Sequence, residues 1–122
     1  PDADAVPQKL EEEAARLRQN LRRAGTEPPA TESTPALRLL LKRGDAVELG
    51  NKLFASQEAA ETVLERIKTI CREEGENSLA GFRDRLGTSR KYAQAWLEHS
   101  DSAGVTSRTG DVRVLTRRYR QP

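Results

Sequence analysis

From Gln8 to Ala24, Leu10, Ala14, Leu17 and Leu21 recur at three- and four-residue spacing, which predicts an amphipathic helix. Glu11–Glu13 stand early in it and Arg22–Arg23 late, an order that complements the helix dipole, and Gly25 is placed to stop it. The next polar stretch, Thr26 to Thr34, holds the pair Pro28–Pro29 and cannot run through as a regular helix. Thr34-Pro35 then supplies a cap followed by proline at the first helical position. A short helix from Ala36 to Arg43 follows, with Leu37, Leu40 and Leu41 inward and Gly44 at its end. Ala46–Leu49 and Lys52–Ala55 alternate as strands do around Gly50-Asn51, a turn pair suited to positive φ.

A second series of helical spacings begins after Ser56, which is placed as a cap. Val63, Leu64, Ile67, Ile70 and Cys71 form one stripe of a long helix. Cys71 lies on that stripe, so it is expected to be a small buried side chain rather than a reactive thiol. Ser78 to Leu86 reads as a short helix ending at Gly87, and a further helix runs from Thr88 with Tyr92, Ala93, Trp96 and Leu97 on its apolar face. Trp96 is expected in the core. Val105–Arg108 and Val112–Leu115 make a hairpin around Thr109-Gly110-Asp111, and Arg117, Arg118 and Arg120 trail into a C-terminus expected to fray. The small, acidic, Pro-bounded residues 1–7 are expected to fray or to act as a linker.

Both halves therefore read as helix, helix and hairpin. The expected fold is mainly α with small β-hairpin wings, arranged as tandem winged-helix domains. The first module is 1–55, with a Pro-rich loop in place of its middle helix, and the second is 56–122.

Charge sharpens this division. Residues 1–77 carry 12 Lys/Arg against 15 Asp/Glu, whereas residues 78–122 carry 9 against 4. A basic C-terminal segment points to a polyanion, although uneven surface charge without a partner produces the same numbers. Aromatic residues are only 4% of the chain, so the core is built mainly from Leu, Val, Ile and Ala. One Cys excludes an internal disulfide and suits a reducing compartment. No apolar run approaches the ~20 residues that span a bilayer, and the chain opens on no signal-peptide pattern; a cytoplasmic location is expected.

The chemistry concentrates at Gly87-Thr88-Ser89-Arg90-Lys91-Tyr92-Ala93. A hydroxyl cap, the positive end of a helix dipole and two cations stand together there, an arrangement that favours a phosphate. The plain alternative is an ordinary capped helix start with solvated charges. No constellation for catalysis accompanies it. His99 is the only His and has no Cys or second His beside it, so no metal is expected. His99-Ser100-Asp101 is contiguous on a helix end and is not triad geometry, so those residues read as helix-end polar groups. No catalytic residue and no cofactor are expected.

The run Phe82-Arg83-Asp84-Arg85-Leu86-Gly87-Thr88-Ser89-Arg90-Lys91-Tyr92-Ala93, with Leu97-Glu98, Gly104-Val105-Thr106, Arg108, Gly110-Asp111 and Arg113-Val114-Leu115, resembles the C-terminal end of the bacterial selenocysteine-specific elongation factor family, SelB. The resemblance implies the last two winged-helix modules, without the separate GTPase part. It implies recognition of an mRNA hairpin, the selenocysteine insertion element, to direct selenocysteine incorporation at UGA. Ribosome and selenocysteyl-tRNA would be partners only through the full-length protein, with no membrane partner and a monomeric state. By position, the RNA contacts fall on Thr88, Ser89, Arg90, Lys91 and Tyr92 and on hairpin residues Arg108 and Arg113. The family commonly carries apolar or aromatic residues where this chain has His99 and Ser100, so looser packing is expected there. The alternatives are a DNA-binding winged-helix transcriptional regulator, which would use the same helix in a major groove, and a protein-interaction module.

Overall fold

The computed structural model describes residues 5–120, and the first four residues of the expected N-terminal linker lie outside them. The chain divides into two compact units, 1–59 and 60–122. The boundary expected between residues 55 and 56 thus falls a few residues before the observed division.

The first unit contains helix α1 (Gln8–Ala24), helix α2 (Pro35–Arg43) and strands β1 (Ala46–Gly50) and β2 (Leu53–Ser56). Thr34 caps α2 as its sequence predicts, its side chain accepting from the Leu37 amide at 3.1 Å. Gly44 closes the helix in the left-handed conformation. Ala14 and Leu21 of α1 meet Leu37 and Leu40 of α2 and Phe54 of β2 in one core. A two-pronged contact from Arg43 to Glu11, at 2.6 and 2.9 Å, fastens the rims of the two helices. That contact holds the Glu11 carboxyl below its ordinary range. Residues 26–34 form no helix; instead Ala30 bridges to Leu53, and the Thr31 amide donates to the Lys52 carbonyl at 2.7 Å.

The hairpin turn sits one residue later than Gly50-Asn51. Gly50 still pairs with Leu53, and the tip is Asn51-Lys52, both with positive φ (53° and 63°). Gly50 itself has φ 90°, and the register slips beside it. The Gly-Asn pattern places the turn one position early because three successive residues, Gly50, Asn51 and Lys52, all have positive φ.

Helix α3 (Gln57–Glu74) is capped by Ser56, whose hydroxyl accepts from the Ala59 amide at 3.1 Å. In the second unit the chain continues through β3 (Asn77–Ser78), α4 (Leu79–Leu86), α5 (Arg90–Ser102), β4 (Thr106–Thr109), β5 (Val112–Leu115) and α6 (Arg117–Arg120). Val63, Ile67, Ile70 and Cys71 of α3 are buried together with Phe82, Ala93, Trp96 and Leu97. Trp96 and Phe82 are wholly enclosed, and burial of such rings supplies a large share of the stability of so small a unit.

β3 does not follow from the sequence pattern. Its two residues pair antiparallel with Arg113 and Val112, which makes β5 the middle strand of a three-stranded sheet ordered β3-β5-β4. The C-terminal arginines also differ from expectation. Instead of trailing away, they form the helical turn α6, tied down by Arg120 Nε donating to the Leu115 carbonyl at 2.9 Å. Among the described residues no helix is long and apolar enough to cross a membrane.

Candidate nucleic-acid interface

The turn between α4 and α5 is set by Gly87, which adopts φ 70°. The amides of Gly87 and Thr88 both donate back to the Arg83 carbonyl, at 2.9 and 3.2 Å, and close α4. Ser89 takes the cap position of α5. Its backbone is extended, and its Oγ accepts from the Tyr92 amide at 3.5 Å, at the outer limit of such a bond. The helix therefore starts at Arg90 rather than Thr88, and Thr88 belongs to the turn.

Arg90 and Lys91 are exposed at the first turn, where the helix dipole is positive. Lys91 Nζ stands 5.3 Å from the centre of the half-buried Tyr92 ring. Across from them, exposed Arg108 on the hairpin donates from Nε to the Gly110 carbonyl at 3.1 Å, which fixes its stem to the turn. Arg90, Lys91 and Arg108 form no ion pair among the described residues.

An open groove of about 330 Å³ joins these parts. Ser78, Leu79 and Ala80 at the start of α4 line it with Arg83, Arg90, Arg108, Asp111 and Arg113. Four arginines and one acidic residue thus line it; Arg83 Nε is paired with Asp84 at 3.2 Å, and the first turn of α4 contributes a second positive helix end. Ser78 caps that turn, accepting from the Gly81 amide at 3.0 Å. Arg83 was not singled out from the sequence. Its spacing of seven residues from Arg90 carries no signal, because the two belong to different helices brought together by the turn.

Arg113 holds a different position from the outward backbone clamp expected of it. Its side chain is 6% exposed and bonds to the Asp101 carboxylate through Nε and Nη2, both at 3.2 Å. Thr106 Oγ1 donates to the other carboxylate oxygen of Asp101 at 2.7 Å and receives the buried Ser100 hydroxyl at 2.9 Å. Asp101 and Ser100 are therefore the polar anchor between the end of α5 and the hairpin, not loose helix-end groups. The packing there is also tighter than the family departure at His99 and Ser100 suggested. Ser100 is fully enclosed, and His99 sits edge-on to Trp96 with ring centres 5.9 Å apart. Burial lowers the His99 pKa from its ordinary 6.5.

Helix α3, strand β3, helices α4 and α5, and the β4–β5 hairpin define the second unit as a winged-helix module. Helix α5 and the β4–β5 hairpin both contribute cationic residues to a shared groove. The comparisons narrow that class. Residues 69–115 match the family model for the winged helix of elongation factor SelB. The selenocysteine-specific elongation factor of Desulfomicrobium baculatum is 25% identical over 107 residues, which make up 78% of this chain and 17% of that protein. The chain thus spans less than a fifth of that relative's length. The mRNA-binding domain of E. coli SelB, solved in complex with SECIS RNA, superimposes with a TM-score of 0.69 at 26% identity, covering 88% of this chain and 94% of that one. A bacterial selenocysteine-specific elongation factor, EF-Sec, shares the fold with a TM-score of 0.65 at 24% identity, over 91% of this chain and 19% of that one. The chain is therefore similar to the C-terminal winged-helix part of SelB, as its residues from Phe82 to Leu115 suggested.

Proposed function

We propose that this chain is the mRNA-binding part of a selenocysteine-specific translation elongation factor and that its second unit holds a hairpin of the selenocysteine insertion type. The observation that carries the reading is the arginine-lined groove between the starts of α4 and α5 and the wing, in a chain similar across its length to an RNA-bound domain. An A-form duplex has a major groove too narrow for a helix, so such a surface suits a loop or a bulge flanked by phosphates. Arg90 and Lys91 contact the anion favoured at the helix start, Thr88 and Ser89 present the turn, and Tyr92 offers a ring edge beside them. Arg108 grips the backbone from the wing and Arg83 from the floor, while Arg113 positions the wing from within.

The first unit is a winged-helix module whose middle helix is replaced by the Pro-rich loop, and it adds little to binding. GTP hydrolysis, the ribosome and selenocysteyl-tRNA enter through other parts of a cytoplasmic full-length protein; this part binds without catalysing a reaction.

The test is a titration of a SECIS-type RNA hairpin, a scrambled hairpin and a DNA duplex of equal length at two salt concentrations. The hairpin should bind tightest. Arg90→Ala should weaken it by about 1–3 kcal/mol and reduce discrimination against the scrambled RNA, while Arg118→Ala should weaken both RNAs alike. Equal affinity for the duplex, or specificity lost only with Arg118→Ala, would refute the assignment of the groove.

A further inference from the structure

A second cationic surface lies on elements that the groove does not use. Lys68 and Arg72 stand one turn apart on α3, and Arg117, Arg118 and Arg120 follow on α6. The Tyr119 ring is gripped from both helices: Lys68 Nζ lies 4.8 Å from its centre and the Arg118 guanidinium 5.6 Å. Beside this stack is an open cavity of about 570 Å³ with Arg72 and Arg120 at its rim and Cys71, Val114 and Leu115 in its floor. No carboxylate lines it. Glu65 pairs with Lys68 at 3.0 Å, whereas Arg72, Arg117, Arg118 and Arg120 form no ion pair among the described residues.

The arrangement is not a byproduct of solvated side chains pointing apart. One aromatic ring draws two cations together, and a backbone bond from Arg120 to Leu115 fixes a third beside Arg72. Gathering like charges in this way costs repulsion unless a polyanion neutralises them. The cavity and the arginine groove share no lining residue. On β5, Arg113 lines the groove and the next residue, Val114, lines the cavity, and successive strand residues face opposite sides of the sheet.

We infer that the α3–α6 surface is a second RNA-binding site, which takes the sugar-phosphate backbone of a single-stranded segment without regard to sequence while the groove holds its hairpin. The guanidiniums supply the phosphate contacts, and the apolar floor with the Tyr119 edge accommodates a base face. The choice of RNA as the polyanion rests on the proposed function, so hairpin binding is measured in the same experiment.

The full chain is saturated with unlabelled hairpin, and a fluorescently labelled oligouridylate is titrated in, with complexes sized by sedimentation. The expected result is a ternary complex. Arg72→Glu/Arg118→Glu should weaken the oligouridylate at least about tenfold and reduce the slope of log K against log salt concentration by at least the ~1.4 expected from two lost phosphate contacts on a single strand. Arg23→Ala, at the exposed end of α1, should leave it unchanged, and Arg72→Lys/Arg118→Lys should restore it. The melting temperature of each variant confirms that the fold is intact. Displacement of oligouridylate by hairpin, or unchanged binding to the Glu variant, would overturn the inference. So would a polyglutamate peptide binding this surface more tightly than RNA, which would make the partner an acidic protein. Hairpin binding without oligouridylate binding refutes this site alone; absence of hairpin binding refutes the proposed function.

Discussion

Asp101→Ala removes the acceptor of a buried guanidinium and separates two effects that a surface substitution would confuse. Arg113 is 6% exposed, and both of its bonded nitrogens point to Asp101, which is itself 27% exposed. Stranding a fully buried partner costs about 3–5 kcal/mol. Partial exposure of the carboxylate lets water replace some of what is lost, so about 2–3 kcal/mol is expected here. The Thr106 hydroxyl also loses its 2.7 Å acceptor, although Ser100 still bonds to it. A unit of this size holds roughly 3–9 kcal/mol in total, so the melting temperature should fall by roughly 10–20 °C. Urea and thermal unfolding followed by circular dichroism measure this directly. Combining Asp101→Ala with Arg113→Met removes both charges, and at least about 1 kcal/mol of the loss should return. If Asp101→Ala melts normally, or the two substitutions add within ~0.5 kcal/mol, the pair is an incidental contact and the wing is held by other means.

Trp96→Ala should destabilise the unit by about 3–5 kcal/mol, because a wholly enclosed ring leaves a cavity that its neighbours cannot fill; normal melting with RNA binding lost would instead make Trp96 a stacking platform. Burial raises the Cys71 thiol from an ordinary 9.0 to about 11. The folded state therefore keeps its proton while the unfolded chain releases it, and stability should fall as pH rises from about 9 toward 11. The urea midpoint of the native protein should drop more than that of Cys71→Ala between ~pH 8 and ~pH 10.5, and parallel curves would show that the thiol does not contribute.

The helix boundaries were legible because their signals are local. Thr34, Ser56, Gly44 and Gly87 each cap or close a helix through chemistry contained within a few residues, and the apolar stripe of α3 needs only its own period. The misplaced features depend on distant partners. Two residues are too few to show an alternation, so β3 is specified only by the strand it meets some 35 residues later. Arg113 turns inward because Asp101 stands at the end of α5, a fact no hairpin pattern contains. Arg83 reaches the groove, and α6 settles on α3, for the same kind of reason. Helix α5 is legible from its cap and its apolar face, while the groove as a whole requires the turn at Gly87 to set the two helices against the wing.

The short strand β3 has a consequence for how this module tolerates change. Ser78 pairs with Val112 in the sheet and also caps α4, so one residue fixes both the hem of the wing and the start of the helix. An insertion of one residue between Ser78 and Leu79 would pull these duties apart, because the residue paired with Val112 would no longer be the one that caps α4. The exposed tip at Gly110–Asp111 carries neither duty. Variation in wing length should therefore gather at that tip, and a chain grafted with a longer wing there should keep its fold, whereas the same insertion after Ser78 should not.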